Sequence, residues 1–278
     1  MAKVWFITGA SSGLGAELSK AVIEHGDKVA ATFRKPEQAR MFSEQFQDKG
    51  IGILLDVKQT DQVSNSIQQV LDQWGRIDVL VNNAGYGTIG AIEEFTLEEI
   101  RAQMETNFFG AVSVTKAVLP FMRKQKMGHI VQISSQAGFR ASAGFGIYNA
   151  SKFALEGFSE ALAQEVTGFG IRVVIVEPGP FRTQFLGSSI KLAEQKIDAY
   201  EKTGVGQMLQ YMERMNGKQE GDPVKAAKAI IDYVNNNNEA LRLPLGKITI
   251  QGMRAKLAAV EKDIQANEKI AVSTVFND

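Results

Sequence analysis

The stretch TGASSGLG, residues 8–15, directly follows the apolar run VWFI at 4–7. Its glycines stand at positions 9, 13 and 15, in the spacing G-x-x-x-G-x-G. Glycine permits tight turns and lets the backbone approach a ligand closely. The N-terminus of a following helix offers unpaired N–H groups to a phosphate. The stretch therefore predicts a strand, a turn and a helix that bind a dinucleotide diphosphate, with an ordinary strand–helix turn as the alternative.

The spacing excludes two better-known phosphate loops. It is not the G-x-G-x-x-G of the common dinucleotide fingerprint. It is also not a P-loop, because no Gly-Lys-Ser/Thr follows the glycines.

Short apolar runs alternate with amphipathic segments along most of the 278 residues. We expect strands at 3–8, 28–33, 51–55, 79–82, 129–134, 172–176 and 241–243, and helices at 13–25, 36–48, 60–74, 96–124 and 150–166. Runs such as VWFI and IRVVIV are continuously apolar, as in parallel strands that are covered on both faces. Repeated β-α units of this kind predict a doubly wound α/β domain.

The alternation of short apolar runs and amphipathic segments stops after Pro180. Residues 181–221 show no clear strand but are rich in apolar side chains, namely Phe185, Leu186, Leu192, Tyr200, Met208, Tyr211, Met212 and Met215. A long connection of this kind is a binding lid or a disordered insert, and this one is too apolar for a disordered linker. We therefore expect a single domain over 1–278 with a substrate lid at about 181–221. Asp222 and Pro223 then begin a further helix.

Composition excludes several classes of function. Lys plus Arg and Asp plus Glu number 31 each, so no net charge attracts nucleic acid. The chain has no cysteine and two histidines, which argues against a metal centre. The apolar run near the N-terminus is shorter than the roughly 7–15 residues of a signal peptide and the roughly 20 of a membrane span. We expect a cytoplasmic protein without a membrane span, a metal or a nucleic-acid partner.

The end of the second predicted strand bears on the choice of cofactor. It reads AATFRKPE, with Arg34 and Lys35 where an acidic residue would bind the ribose hydroxyls of NAD(H), and no carboxylate before Glu37. An arginine here can bind a 2′-phosphate. The pattern favours NADP(H) and leaves NAD(H) possible; a solvated basic pair is the alternative.

Further motifs follow in order: LDV at 55–57, NNAG at 82–85, ISS at 133–135, YNASK at 148–152 and EPGPFRT at 177–183. Together with TGASSGLG, and with Asn107 in a helical segment, they resemble the short-chain dehydrogenase/reductase family over residues 3–183. The residues of the segments NNAGYG, EPGPFRT and LRLPLGKIT resemble those of the family branch that includes retinol and 17β-hydroxysteroid dehydrogenases. That likeness implies an apolar carbonyl or alcohol substrate.

The resemblance implies one Rossmann-type domain with a seven-stranded parallel sheet, a nicotinamide cofactor and a catalytic tetrad of Asn107, Ser135, Tyr148 and Lys152. Ser135 is preferred to Ser134 because it stands thirteen residues before Tyr148, the usual family spacing. The residues implied to bind the cofactor are Gly9, Ser11, Ser12, Gly13, Leu14, Gly15, Arg34, Lys35, Asp56, Val57, Asn83, Ala84, Gly85, Tyr148, Lys152, Pro178, Gly179, Phe181 and Thr183.

One position departs from the NADP-preferring pattern. Many such family members carry a basic residue inside the glycine turn, where this chain has Ser12. The preference for NADP(H) therefore rests on Arg34, helped by Lys35.

The tetrad has a chemical rationale. Hydride transfer to a ketone makes an alkoxide that needs a proton, and a tyrosine with an ordinary pKa of about 10 is too weak an acid at neutral pH. Lys152 lies one helical turn after Tyr148, on the same face, so its charge, together with that of the oxidised nicotinamide, favours the phenolate. Ser135 is expected to donate to the substrate oxygen, and the family role of Asn107 is to hold a water that relays protons to the lysine.

Three functions remain in view. The first is an NADP(H)-dependent oxidoreductase acting on an apolar carbonyl or alcohol. The second is a dinucleotide-sensing protein that kept the fold without the chemistry. The third is a sugar-nucleotide epimerase or dehydratase, which typically has a G-x-x-G-x-x-G turn and a larger C-terminal domain. By analogy with the family we expect a homodimer or homotetramer that pairs through helices 96–124 and 150–166.

Overall fold

A computed structural model describes residues 2–187, 189–236 and 238–276 of the protein. The strands are β1 (Val4–Ile7), β2 (Lys28–Phe33), β3 (Gly50–Leu54), β4 (Val79–Asn82), β5 (Gly87–Ile89), β6 (Gly128–Ile133), β7 (Ile171–Pro178), β8 (Ile190–Leu192) and β9 (Arg242–Leu245). The α-helices are α1 (Gly13–His25), α2 (Pro36–Phe46), α3 (Thr60–Trp74), α4 (Leu97–Met104), α5 (Gly110–Gln125), α6 (Gly146–Val166), α7 (Gly204–Met215), α8 (Pro223–Asn235) and α9 (Lys247–Val272).

Seven strands form one parallel sheet in the order β3-β2-β1-β4-β6-β7-β9. The chain winds outward from β1 in one direction and then, from β4, in the other. This confirms the predicted doubly wound Rossmann fold. The reversal between β1 and β4 creates a crevice at the carboxyl ends of the strands, which is where such folds bind ligands.

Two apolar layers cover the sheet. Successive residues of β1 alternate between them: Trp5 packs with α1, α2 and α8, and Phe6 packs with α3, α5 and α6. Both side chains are fully buried. This two-sided burial is why the strands are continuously apolar in sequence.

The predicted helix at 96–124 is wrong in one respect. It is divided into α4 and α5 by a π-helical segment, Glu105–Phe109. Around this segment the side-chain amides of Gln103 and Asn107 both donate to the carbonyl oxygen of Tyr86, at 3.0 and 2.9 Å. The π-helical segment therefore occurs where two side-chain amides bond the loop after β4; these two bonds are called the clamp on Tyr86.

Three other features differ from the sequence predictions: the start of one helix, one additional strand and one additional helix. The helix expected at 150–166 already begins at Gly146, so Tyr148 lies in its first turn. The connection 181–221 contains a strand, β8, which pairs in parallel with β5. With only three residues, β8 has no recognisable polarity pattern. The 26-residue helix α9 follows β9 and was not predicted from the sequence.

A partly buried charge cluster links the edge strand β9 to β7 and α6. Arg242 on β9 donates to Glu177 on β7, at 2.5 Å, and also to Glu156 and Glu160 on α6. Glu177 is fully buried and Glu156 is 5% exposed. Burial, together with the neighbouring Glu156, raises the pKa of Glu177 to about 7 in spite of Arg242. One carboxyl group of the cluster therefore takes up a proton near neutral pH.

We expect Glu177→Gln to flatten the dependence of stability on pH. A carboxyl group whose pKa rises on folding stabilises the protein below its unfolded pKa, near 4.5, and this contribution is lost as the pH rises through about 7. Chemical unfolding at pH 5 and pH 8 should show a smaller loss of unfolding free energy in the variant, by on the order of 2 kcal/mol.

Glu160→Gln is the matched control, because it removes a half-exposed carboxylate from the same arginine. It should leave the dependence on pH nearly as in the wild type. The assignment is wrong if Glu177→Gln loses as much unfolding free energy between the two pH values as the wild type does.

Candidate functional site

A cavity of about 600 Å³ opens at the carboxyl ends of the central strands. Its walls come from the loops after β1, β2, β3, β4, β6 and β7, and from the connection 181–221. It thus lies at the point where the strand order reverses.

The glycine turn after β1 packs closely against the residues that follow β4. Gly9 has φ of +70°, and a Cβ there would lie 2.8 Å from the Cα of Ala84. A Cβ at Gly15 would lie 2.4 Å from Nδ2 of Asn83. That nitrogen donates to the carbonyl oxygens of Thr8 and Gly9, both at 2.9 Å, and so ties the ends of β1 and β4 together.

The N-terminus of α1 faces this cavity. Its first residue follows Ser12, whose side chain caps no backbone N–H among the described residues. Gly13 and Leu14 line the cavity. Free helix N–H groups beside a glycine cradle fit the diphosphate of a dinucleotide.

The two basic residues after β2 differ in position. Arg34 is exposed, lines the cavity and forms no ion pair with any described residue. Lys35 is the N-cap residue of α2 and does not line the cavity. Asp56, which follows the neighbouring strand β3, has its Oδ2 3.6 Å from Nζ of Lys58. Arg34 is therefore the cation available to a phosphate at this end.

Tyr148 and Lys152 lie on α6 at the inner end of the cavity and are 6% and 5% exposed. The Lys152 ammonium donates to the carbonyl oxygen of Ile133, at 2.8 Å, and lies 6.0 Å from the centroid of the Tyr148 ring. Ser135 follows β6 and lies beside them. Its hydroxyl accepts from the N–H of Ala137 at 3.1 Å and donates to the carbonyl oxygen of Pro178 at 3.4 Å.

Burial acts on both ionisable groups. It raises the pKa of Tyr148 to about 12, and the neighbouring Ser135 hydroxyl opposes this shift. It lowers the pKa of Lys152 to about 8, and the negative charge of Glu156 opposes that shift. The expected lowering of the tyrosine pKa is therefore not produced by the protein's side chains alone, because desolvation of the buried hydroxyl outweighs the Ser135 hydrogen bond.

Asn107 lies outside the cavity and bonds the backbone of Tyr86, a residue that lines it. It is 1% exposed and does not line the cavity. Its Oδ1 accepts from the N–H of Tyr86 at 3.1 Å, and its Nδ2 donates to the carbonyl of Tyr86 and to the Ser151 hydroxyl. A Cβ at Gly85 would lie 3.1 Å from this Oδ1 and 3.7 Å from Nζ of Lys152. Asn107 and Lys152 therefore flank the same glycine.

Most of the predicted residues come together. Those that line the cavity are Gly9, Ser11, Ser12, Gly13, Leu14, Arg34, Asp56, Val57, Asn83, Ala84, Gly85, Ser135, Tyr148, Lys152, Pro178, Gly179, Phe181 and Thr183. Gly15, Lys35 and Asn107 do not line it.

The sequence analysis missed several residues of the site. Phe145 packs 6.0 Å from the Tyr148 ring between centroids, and Asn149 bonds the loop before α6 through Ala137 and Ser142. Asn149 is the second residue of YNASK, so its place in the motif was the available signal. Phe145 carried no such signal.

The connection 181–221 supplies an apolar wall. The Phe185 ring lies 5.5 Å from that of Tyr148. Further along the connection, Met208, Tyr211 and Met212 of α7 line the same cavity. Apolar side chains therefore surround the outer face of the catalytic candidates.

Two absences hold for the described part of the chain. It contains no cluster of three or more His, Cys, Asp or Glu residues suited to a metal ion. It also contains no helix with the length and apolarity needed to span a membrane.

Comparison with known proteins identifies the family. The family model for short chain dehydrogenases matches residues 3–192. A 3-ketodihydrosphingosine reductase of Bacteroides thetaiotaomicron is 39% identical over 260 residues, which cover 91% of each chain. Human retinol dehydrogenase 8 is 42% identical over 196 residues, 68% of this chain and 63% of the relative.

Solved structures agree with this result. A short-chain dehydrogenase from Streptomyces avermitilis superposes with a TM-score of 0.92 at 40% identity, covering 99% of this chain and 100% of the other. A short-chain dehydrogenase/reductase from Burkholderia phymatum, solved with NAD, has a TM-score of 0.82 at 21% identity and covers 94% of this chain and 95% of its own. With the ordered motifs gathered around one cavity, these matches show that the chain belongs to the short-chain dehydrogenase/reductase family.

Proposed function

We propose that the protein is an NADP(H)-preferring oxidoreductase that interconverts a carbonyl and an alcohol by hydride transfer. One observation carries the proposal: a single cavity joins the glycine turn and Arg34 at one end to Ser135, Tyr148 and Lys152 at the other. The first group fits a phosphorylated dinucleotide, and the second fits acid–base chemistry on an oxygen atom.

The side chains divide the chemistry among them. The nicotinamide, when bound, supplies or accepts the hydride, and its oxidised form adds positive charge. Ser135 donates a hydrogen bond to the substrate oxygen and stabilises the negative charge that develops there. Tyr148 gives its hydroxyl proton to that oxygen during reduction and takes it back during oxidation. Lys152 stabilises the phenolate that remains, and Asn107 positions Gly85 beside the lysine.

The apolar wall supports an apolar substrate. Phe145 and Phe185 contact the Tyr148 ring, and Met208 and Met212 lie further out in the cavity. Methionine and aromatic side chains suit adaptable apolar pockets. The names of the two relatives, a ketodihydrosphingosine reductase and a retinol dehydrogenase, support a carbonyl or alcohol as the reacting group.

We expect Tyr148→Phe to abolish turnover while cofactor binding is kept. The variant loses the acid–base group, which typically contributes about 10²–10⁴-fold. The rate should be followed by nicotinamide absorbance with a panel of apolar ketones, aldehydes and alcohols, and the affinity for NADPH by calorimetry.

Tyr200→Phe is the matched control, since its hydroxyl bonds Glu93 at 2.6 Å outside the cavity. It should keep the wild-type rate. Turnover by Tyr148→Phe close to that of the wild type would remove the proposed role. A wild-type protein that binds the cofactor but turns over nothing in the panel would point to dinucleotide sensing instead.

We expect Arg34→Asp to reverse the preference between cofactors. An arginine–phosphate contact contributes roughly 1.5–3 kcal/mol, so the affinity for NADPH should fall about tenfold to hundredfold. The affinity for NADH should be kept or improved, because a carboxylate can bind the ribose hydroxyls. Dissociation constants for both cofactors measure this without relying on activity.

Lys35→Asp makes the same charge change at the adjacent residue, which does not line the cavity. It should shift the ratio of the two dissociation constants much less. An unchanged ratio in Arg34→Asp, or an equal shift in Lys35→Asp, contradicts the assignment to Arg34.

We also propose a homo-oligomer that pairs through α5 and α6. Phe109, just before α5, is 51% exposed and Phe153 on α6 is 43% exposed. Sedimentation at micromolar concentration should show a dimer or tetramer, and Phe109→Glu with Phe153→Glu should shift it toward monomer. A homogeneous wild-type monomer contradicts this pairing.

A further inference from the structure

The cavity carries more positive charge than the proposed chemistry uses. Its cationic lining residues are Arg34, Lys58, Arg140, Lys152 and Lys191, whereas Asp56 is the one carboxylate among the described lining residues. The chain as a whole is neutral. The excess is therefore a local property of the cavity.

Three of these cations are accounted for. Arg34 lies at the end that fits a phosphorylated ribose, Lys58 lies 3.6 Å from the Asp56 carboxylate, and Lys152 belongs to the catalytic pair. Arg140 and Lys191 remain. Both are exposed, and neither forms an ion pair with a described residue.

Arg140 lies on the loop that leads from Ser135 to α6. Its N–H donates to the carbonyl oxygen of Gln136 at 2.9 Å. Asn149 holds the same loop on both sides of Arg140: it donates to the carbonyl of Ala137 at 2.8 Å and accepts from the N–H of Ser142 at 3.2 Å. The backbone that carries the guanidinium is thus fixed by the residue next to Tyr148.

Lys191 lies on β8, in register with Thr88 of β5. Its ammonium lies 5.0 Å from the centroid of the Tyr86 ring. The nearby Glu99 accepts from the N–H groups of Thr96 and Glu194, at 2.8 and 3.0 Å, and does not line the cavity. A second cation is therefore held at the lid side by an aromatic face instead of a carboxylate.

Apolar side chains line the same cavity, including Phe145, Phe185, Leu186, Met208 and Met212. We infer that the substrate is an anionic amphiphile, with an apolar body against these side chains and an oxyanion, such as a carboxylate or phosphate, paired with Arg140 and Lys191. A cationic amphiphile is disfavoured, because the described cavity lining has no carboxylate other than Asp56, which is already beside Lys58. This inference rests on the proposed function, since it names the substrate of the same site.

The binding test uses unreactive probes of equal chain length, namely decanoate, decyl phosphate, decanol and decylammonium. Each is titrated by calorimetry against the protein saturated with oxidised cofactor. The two oxyanions should bind about tenfold tighter than the alcohol, and decylammonium should bind weakest. The advantage should shrink as salt is added, because the two cations are solvent-accessible.

Two single variants and their combination identify the cations. Arg140→Gln and Lys191→Gln should each reduce the oxyanion advantage over decanol, and the double variant should abolish it while decanol affinity stays within about twofold. Lys256→Gln, on the exposed face of α9 outside the cavity, should change nothing. An oxyanion advantage that survives in the double variant, or equal binding of decanol and decanoate by the wild type, overturns the inference.

A kinetic pair separates this inference from the proposed function. A long-chain keto acid and its methyl ester share one reacting carbonyl and differ in charge. Turnover of both with equal kcat/KM overturns the anionic preference alone. If neither compound is turned over while the oxyanion preference persists in the binding test, the anionic preference stands and the proposal of an oxidoreductase is overturned.

Discussion

The buried ammonium group of Lys152 is the constraint on which the site depends. It is 5% exposed, and the backbone carbonyl of Ile133 at the end of β6 accepts its hydrogen bond. A charge buried in this way must have a partner, so the lysine fixes α6 against the carboxyl end of β6. The same contact places Tyr148, one turn earlier, at the inner end of the cavity.

Burial drives both groups of the proposed catalytic pair, Tyr148 and Lys152, toward their neutral forms. It raises the pKa of Tyr148 to about 12 and lowers that of Lys152 to about 8. Behind the pair, Glu156 lies one turn after Lys152 and shares Arg242 with Glu177. The carboxylate of Glu156 favours the charged lysine, and Arg242 keeps that carboxylate from being unpaired. The proposed acid–base pair is thus coupled electrostatically, through Glu156, to the charge cluster at the edge of the sheet.

Much of this could be predicted from local patterns. The continuous apolar strands indicated a sheet covered on both faces. The glycines of TGASSGLG indicated the turn, and the structure gives the reason for two of them: a side chain at Gly9 or Gly15 would collide with Ala84 or Asn83. Ser135, Tyr148 and Lys152 were found because they belong to ordered motifs. Arg34 was found because it ends a strand.

Other features depend on tertiary contacts that no short pattern encodes. The π-helical segment accompanies the clamp of Gln103 and Asn107 on Tyr86, a residue about 20 positions earlier. Strand β8 exists through its pairing with β5, about 100 residues away. Arg140 and Lys191 could not be told from other surface cations until the fold placed them in one cavity. Lys35 was expected to help Arg34 bind the cofactor, but it is the N-cap residue of α2 and does not line the cavity.

We propose that Tyr148 becomes a usable acid–base group only when positive charge is added beside it. The most direct measurement is the ultraviolet difference spectrum of tyrosinate at about pH 9, below the ordinary tyrosine pKa of about 10, taken with and without oxidised cofactor and corrected with Tyr148→Phe. We predict no ionised Tyr148 in the free protein and a clear tyrosinate signal once the cofactor is bound. Cofactor binding shown by calorimetry without any tyrosinate signal would contradict this dependence of Tyr148 on added positive charge.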